Sequence, residues 1–291
     1  MNKKYKLTDI QLEFDDTVLY RIQSLIDIPE YNVKAGDFGG WIESENNLSH
    51  DGKCWVFDDA KVYHKYALVK DNAKVSGSSI VRDMATVCDN AEVAGDSIIS
   101  DRAIIKENGF ISGSAKVYDC AIVSGNAKVS LNAHIYEYAR IMDNTVIHGC
   151  ARIHGNAYVT DNARVSGNAF IYDNAKIRGD SKVYDNAIVY DNAIISESAV
   201  VFDHATIFGE ANVHGNCRIR KHAYVYGHAN IFGDALIYDN AYVYGYATVC
   251  DNSVVYGNAK ISGHVIVKDR AHVLGNAILN DNRIVTKIYK G

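Results

Sequence analysis

Histidines are the side chains of this sequence best suited to acid–base or metal chemistry, and they fall at regular places. Five stand directly beside a valine or isoleucine, and four directly follow an Asp, Lys or Gly. The first group is His134, His148, His154, His214 and His272, and the second is His204, His222, His228 and His264. His204 and His222 have the same separation as many aromatic pairs, but two histidines without a Cys or carboxylate set give a weak zinc signal. We therefore predict exposed turn histidines and no metal site.

Aromatic residues repeat at one fixed separation along the chain, which is the separation between Tyr226 and Tyr244. One set contains Tyr118, Tyr136, His154, Tyr172, Tyr190, Phe208, Tyr226 and Tyr244, with Phe170, Ile188, Tyr224 and Tyr242 two residues before some of them. A second set contains Tyr184, Phe202, Arg220, Tyr238 and Tyr256, with Val200, Leu236 and Val254. A third set is more polar and contains Arg178, Ser196, His214, Asn230 and Lys268. The three sets predict a structure with three unequal faces.

A strict repeat of six residues underlies this separation, which is three repeats long. From Val69 to Val285, all 37 positions at steps of six are Val or Ile, except Leu279. The residue two places earlier is almost always Ala or Ser, and the residue two places later is mostly Gly or Asp, often followed by Asn. Each repeat therefore reads Ala-x-Val-y-(Gly/Asp)-Asn, and a repeat of this kind governs the interpretation of the whole chain.

The repeat predicts a short strand and a corner. In a strand alternate side chains point the same way, so Ala and Val point inward while x and y point outward. Gly, Asp and Asn suit the corner because they tolerate left-handed backbone conformations. Three such sides, one repeat each, close a triangular coil, and coils stack about 4.8 Å apart, as neighbouring strands do. We predict an all-β, single-stranded parallel β-helix of about 12 coils, with Asp and Asn as turn formers rather than calcium ligands.

The repeat resembles the hexapeptide repeat of left-handed parallel β-helices, as in the stretch from Val165 through Ala169. The resemblance covers about residues 56–286 and implies a left-handed coil. The residues themselves establish only the coil, and the general preference of parallel crossovers is right-handed.

Residues 1–55 lack the repeat and are predicted to form an N-terminal β cap, because the end coil of a solenoid exposes an unpaired edge. Residues 56–291 form the predicted hexapeptide-repeat β-helix. The stretches GGWIE, NLS and CWV resemble the leader of YdcK-type bacterial and phage proteins, which are named as transferases on fold grounds. We expect Trp41 to pack on the first coil rather than bind a ligand. The step from Val62 to Val69 is seven residues, which suggests a bulge.

The hexapeptide resemblance also implies an enzymatic alternative. Hexapeptide proteins are often acyltransferases that form trimers, with a histidine base at the subunit interface and acyl-CoA between neighbouring prisms. On that hypothesis His154 is the candidate base, beside Arg152, and acyl-CoA is the cosubstrate. This sequence departs from the pattern because no loop interrupts the coils between Val69 and Val285, and a catalytic site needs a concavity with convergent polar groups.

The composition and charge of the chain narrow the remaining classes of function. The net charge is -5 and no basic run is present, so we do not expect nucleic-acid binding. No apolar stretch approaches the roughly 20 residues of a membrane helix, and the N-terminus does not resemble a secretory signal. The six cysteines show no CxxC pair and indicate free thiols in a reducing cytoplasm. Neither a phosphate-binding Gly loop nor a Ser-His-Asp signature occurs.

The sequence therefore favours a non-enzymatic scaffold or binding protein without a cofactor. Its predicted binding face is aromatic and consists of Tyr118, Tyr136, Phe170, Tyr172, Tyr190, Phe208, Tyr224, Tyr226, Tyr242 and Tyr244. Stacked rings stiffen the coil from within, and an exposed aromatic strip also favours an interface; the two interpretations are compatible. The expected partner is a second copy, in a dimer or trimer, or another protein.

Overall fold

A computed structural model describes residues 3–291, and the chain forms two compact units, Met1–Asp143 and Asn144–Gly291. Each unit is a parallel β-solenoid with three sheets, and its strands are mostly two residues long. Strands pair in parallel with the strand three repeats later, as Glu92 does with Phe110. The predicted fold class and the coil of three repeats are thus confirmed, while the left-handed sense stays a prediction. Among residues 3–291 no helix has the length and apolar character needed to span a bilayer.

Unit 1 begins with an antiparallel hairpin that extends its first sheet. The first sheet contains, in spatial order, Tyr5–Phe14, Thr17–Ser24, Phe38–Ile42, Lys61–Val62, Ile80–Val81, Ile98–Ile99, Lys116–Val117 and His134–Ile135. The second contains Trp55–Val56, Lys74–Val75, Glu92–Val93, Phe110–Ile111 and Lys128–Val129. The third contains Leu68–Val69, Thr86–Val87, Ile104–Ile105, Ile122–Val123 and Arg140–Ile141. Two short 3-10 helices, Pro29–Tyr31 and Glu45–Asn47, lie among the N-terminal strands.

Unit 2 repeats the same arrangement without a hairpin. Its first sheet contains Arg152–Ile153, Phe170–Ile171, Ile188–Val189, Thr206–Ile207, Tyr224–Val225, Tyr242–Val243, Lys260–Ile261 and Ile278–Leu279. The second contains Val146–Ile147, Arg164–Val165, Lys182–Val183, Val200–Val201, Arg218–Ile219, Leu236–Ile237, Val254–Val255, His272–Leu274 and Tyr289–Lys290. The third contains Tyr158–Val159, Lys176–Ile177, Ile194–Ile195, Asn212–Val213, Asn230–Ile231, Thr248–Val249, Ile266–Val267 and Ile284–Val285.

The core of each unit consists of the two inward positions of the repeat. Val93 and Ala91, for example, are fully buried, and so are nearly all of their equivalents along the solenoid, whereas Arg283 in the last repeat is exposed. A small residue is needed near the corner because little interior volume remains there. Cys217 occupies one of these small-residue positions, and burial raises the pKa of its thiol to about 12. All six cysteines are free thiols.

Corner residues adopt the left-handed conformation at every repeat from Asp71 to Gly275. The Asp residues there also bond to the next coil: Asp161 Oδ2 accepts the backbone N–H of Gly179 at 2.8 Å. The following Asn residues form amide ladders, in which Asn240 Nδ2 donates to Asn258 Oδ1 at 3.2 Å. Leu131 stands at such a corner with φ 59°, and has neither the flexibility of glycine nor a carboxylate for this bond. The corner composition of the repeat thus follows from backbone conformation and from side-chain hydrogen bonds to the next coil.

The coils begin inside the segment assigned to the cap. Phe38–Ile42 already pairs in parallel with Lys61–Val62, so the predicted count of about 12 coils, made from Val69, omits the earliest ones. The extra residue between Val62 and Val69 lies in the corner, not within a strand. The backbone carbonyls of His64 and Ala67 in this corner accept hydrogen bonds from Asn47 Nδ2 at 2.8 and 3.0 Å.

Candidate binding surface of stacked aromatic rings

The first sheet of unit 2 carries an unbroken stack of six rings. They occupy the outward position after each inward Val or Ile, and we call them the aromatic column: His154, Tyr172, Tyr190, Phe208, Tyr226 and Tyr244. Successive ring centroids are 4.7 to 5.3 Å apart, and successive planes are within 6° of parallel. The separation of three repeats therefore places each ring on the next, because one coil is one strand spacing.

Three further rings lie beside the aromatic column on the same sheet. Phe170 contacts the rings of His154 and Tyr172, with centroid distances of 5.1 and 5.0 Å. Tyr224 and Tyr242 stack on each other at 4.9 Å. Together with the column these rings form what we call the aromatic surface. In unit 1 the predicted residues Tyr118 and Tyr136 also stack, at 5.0 Å.

The rings of the aromatic surface are half-buried rather than fully exposed. Each inner ring has both faces covered by its neighbours, so that its edge and, in tyrosine, its hydroxyl point outward. Burial raises the pKa of Tyr172, Tyr190 and Tyr226 above the usual value of tyrosine, and these phenols are neutral hydrogen-bonding groups at pH 7. A sugar or a nucleobase that stacks needs a free ring face, whereas a protein surface can pack against ring edges.

The second sheet of unit 2 carries a mixed column of rings and one cation. Tyr184 stacks on Phe202 at 5.1 Å, and Tyr238 stacks on Tyr256 at 5.0 Å. The guanidinium of Arg220 lies 5.0 Å from the ring centroid of Tyr238, in a cation–π contact. The second predicted face is therefore aromatic as well, but basic residues accompany its rings.

The candidate catalytic residues lie next to each other at the start of unit 2. Arg152 is exposed and lines a shallow groove of about 340 Å³ with Cys150, Asn168 and Phe170. The imidazole of His154 is half-buried and stacks on Tyr172 at 5.3 Å, so its position is set by the aromatic column. The assignment of His154 as a base stays a prediction.

The other histidines show what sequence reasoning found and what it missed. His204 and His222 stack at 5.0 Å, as their separation suggested. At another corner Tyr246 lies between His228 and His264, at centroid distances of 4.7 and 5.1 Å. The sequence contains this signal, because the three residues follow one another at intervals of three repeats, although they stand at corners rather than in strands.

Unit 1 has two groups of acidic residues, and neither suits a metal ion or acyl-CoA. Ligand atoms of Asp71, Cys88 and Asp89 lie within 4.8 Å of one another. Both carboxylates also accept backbone N–H groups of the next coil, and burial raises the pKa of the Cys88 thiol, which disfavours the thiolate a metal needs. A groove of about 630 Å³ is lined by Asp83, Met84, Asp101, Arg102, Asp119, Cys120, Glu137 and Tyr138. Its four carboxylates do not suit the phosphates of acyl-CoA.

The Trp41 side chain packs against neighbouring residues of the first coil, as expected. Its indole N–H donates to Asp59 Oδ1 at 3.4 Å, and the guanidinium of Arg21 lies 5.0 Å from its ring. These contacts join the hairpin to the first coil.

Comparison with known proteins gives two partial matches. The family model described as YdcK Beta solenoid repeat matches residues 181–197, which lie in unit 2. A protein of Escherichia coli (strain K12) named "Uncharacterized acetyltransferase YdcK" is 34% identical over 87 residues, which are 27% of this chain. The match spans 26% of that relative's length. Over about a quarter of its length, this chain is thus similar to a YdcK-type β-solenoid protein, as its sequence predicted.

Proposed function

We propose that this protein is a non-enzymatic cytoplasmic scaffold that binds protein surfaces through the aromatic surface of unit 2, by self-association or by docking a partner. The observation that carries the proposal is the unbroken stack of six rings on a sheet without loops. Tyrosine and phenylalanine are enriched at protein interfaces, and ring edges supply apolar contact while the hydroxyls supply hydrogen bonds.

The shape of the surface supports a protein partner. The strands of the sheet follow one another once per coil, which makes a flat, regular surface of several hundred Å² at about 4.8 Å per strand. Apolar patches of this size on soluble proteins are often interaction sites. The rings stack within the molecule, so they are held rigidly and lose little side-chain entropy on binding.

Introducing charge into the aromatic column tests the proposal. We expect Tyr226→Lys with Tyr244→Lys to abolish association in 500 mM NaCl, where apolar contacts persist and exposed ion pairs are screened. Light scattering on a sizing column measures the mass. The matched control is Tyr158→Lys with Ile194→Lys, on the third sheet of the same unit, which should assemble like the unchanged protein. A Tyr226/Tyr244 variant that stays assembled contradicts self-association through this surface.

The second candidate function is acyl transfer from acyl-CoA, at sites shared between subunits. It is supported by the name of the E. coli relative and by the hexapeptide resemblance. On this candidate His154 is the base and Arg152 assists it, and the protein must be a trimer that binds acetyl-CoA in calorimetry. We expect His154→Ala to lower the acyl transfer rate by about 100-fold, as the loss of a general base does. An unchanged rate removes His154 from this role, and a monomer argues against intersubunit sites.

A further inference from the structure

Charged residues in unit 2 are sorted by their place in the repeat. None of its outward strand positions carries Asp or Glu, and the carboxylates stand at the corners. Asp and Glu occur at the corners because their carboxylate oxygens there accept backbone N–H groups of the next coil. The strands instead carry cations, and the second sheet has the largest number of them.

Three of these cations form a line on the second sheet. Arg164, Lys182 and Arg218 occupy the outward position before the inward residue in their strands, with Val200 between the last two. We call these four residues the basic strip. All three cations are exposed, and none forms an ion pair within residues 3–291. Arg164 and Lys182 are direct cross-strand neighbours, and like charges in that arrangement repel. The basic strip is therefore electrostatically unsatisfied in the single molecule.

The basic strip lines a groove into which a ridge could fit. The groove has a volume of about 410 Å³, and its other wall consists of Asn162, Asp180, Ser198 and Asn216. Asp180 is the one carboxylate in this lining, and its Oδ1 accepts a hydrogen bond from Asn162 at 3.0 Å. The groove therefore has three cations against one anion.

The corner that follows the same sheet has the opposite charge pattern. Asp185, Asp203, Lys221 and Asp239 stand there in successive coils, and we call them the acidic corner. Asp185 and Asp203 each use one oxygen for a backbone N–H, of Asp203 and Lys221 respectively. Their second carboxylate oxygen is thus available to a partner. Lys221 pairs with Asp239 at 2.6 Å.

The two patterns match along the coil axis. The basic strip reads cation, cation, valine, cation, while the acidic corner reads acid, acid, lysine, acid. Both have one residue per coil, so both repeat at about 4.8 Å. In a neighbouring copy that is parallel and displaced by one coil, Asp185 would face Arg164 and Asp203 would face Lys182. Asp239, whose two oxygens already bond to Lys221 and to the backbone N–H of Gly257, would face Arg218. The cation of Lys221 then faces Val200. Without the displacement, Lys221 faces Arg218 and repels it.

We propose that the acidic corner of one copy docks in the groove beside the basic strip of a second copy, parallel to it and displaced by one coil. The two surfaces differ, so the contact is head-to-tail, and a repeated displacement builds open chains rather than closed rings. A second copy fits better than a single-stranded nucleic acid, because the rings on this sheet stack on each other and offer few free faces to bases. This contact does not depend on the aromatic surface.

Charge reversal and mixing test the proposal by sedimentation of the full chain in 50 and 500 mM NaCl. In 50 mM NaCl we expect the mass to increase with concentration beyond the mass of any assembly that the aromatic surface holds in 500 mM NaCl, and in 500 mM NaCl this additional increase should disappear. Arg164→Glu with Lys182→Glu, and separately Asp185→Lys with Asp203→Lys, should each weaken the contact by about 100-fold, because like charges then face each other. An equimolar mixture of these two variants should associate again, since each reversed surface meets its complement.

Controls separate this contact from other effects. Lys176→Glu with Arg178→Glu makes the same change of net charge on the third sheet and should associate like the unchanged protein. Lysine fits the corner backbone, since Lys221 already occupies it with φ 56°, and circular dichroism checks each fold. Tyr226→Lys with Tyr244→Lys should retain the salt-sensitive association. A mixture that stays dissociated, or a mass that does not respond to salt, overturns the proposal. Binding of a single-stranded oligonucleotide by the strip without self-association overturns it as well.

Discussion

Replacing Asn47 by leucine should destabilise unit 1 by about 3 kcal/mol, because three backbone groups lose their partner in a buried place. The fully buried amide of Asn47 donates to the carbonyls of His64 and Ala67, and its Oδ1 accepts the backbone N–H of Ser44 at 2.9 Å. Ser49 N donates to Val69 O in the same way, at 2.9 Å. The segment from Asn47 to Ser49 therefore supplies hydrogen-bond donors to the carbonyls of His64, Ala67 and Val69. These carbonyls lie in and next to the edge strand Leu68–Val69, which no complete strand precedes.

Urea unfolding followed by tryptophan fluorescence measures this effect, because both tryptophans, Trp41 and Trp55, lie in unit 1. The control is Asn46→Leu in the same turn, where the side chain is exposed and its loss should change stability by less than about 0.5 kcal/mol. Equal unfolding midpoints for the two variants would show that the Asn47 hydrogen bonds contribute nothing net.

The corner between Val62 and Leu68 also shows which part of the fold the sequence could not predict. The six-residue repeat determines inward and outward positions by strand geometry alone, so the triangular coil could be predicted from Val69 onward. The seven-residue step after Val62 could be seen, but not its location in the corner. The side chain that stabilises that corner, Asn47, lies 20 residues before Ala67 in a segment without the repeat. Such a contact depends on tertiary position and leaves no periodic signal.

The candidate surface was predictable to a similar extent. The separation of Tyr226 and Tyr244 predicted a stack, because a fixed number of residues per coil places equivalent side chains above each other. The sequence did not reveal that stacking covers the ring faces and leaves only edges, since that depends on the side-chain torsion shared by neighbouring rings. The charge pattern of Lys182 and Asp203 was equally hidden, because it becomes visible only when strand and corner positions are compared along separate columns.

Of the substitutions proposed in unit 2, removal of one ring from the middle of the aromatic column should lower the stability of the unit most. Tyr190 stacks on Tyr172 at 4.8 Å and on Phe208 at 4.9 Å. Each such pair contributes about 0.5–1.5 kcal/mol beyond its buried area, so Tyr190→Ala, which loses two pairs and exposes a face of each neighbouring ring, should cost a total of about 3 kcal/mol. In a solenoid the loss acts mainly on the coils next to the change, since each coil contacts only its neighbours.

Hydrogen exchange resolved along the chain can test both the size and the place of this effect. We expect faster exchange in the strands Phe170–Ile171, Ile188–Val189 and Thr206–Ile207, and little change near Lys260–Ile261. Tyr190→Phe should leave exchange unchanged, because Phe208 shows that the column accepts phenylalanine. Tyr158→Ala removes a half-buried tyrosine that forms no ring pair within residues 3–291, so it reports the loss of side-chain area alone. If Tyr190→Ala and Tyr158→Ala accelerate exchange equally, the stack adds no stability of its own, and its regularity must then serve the outer surface it presents.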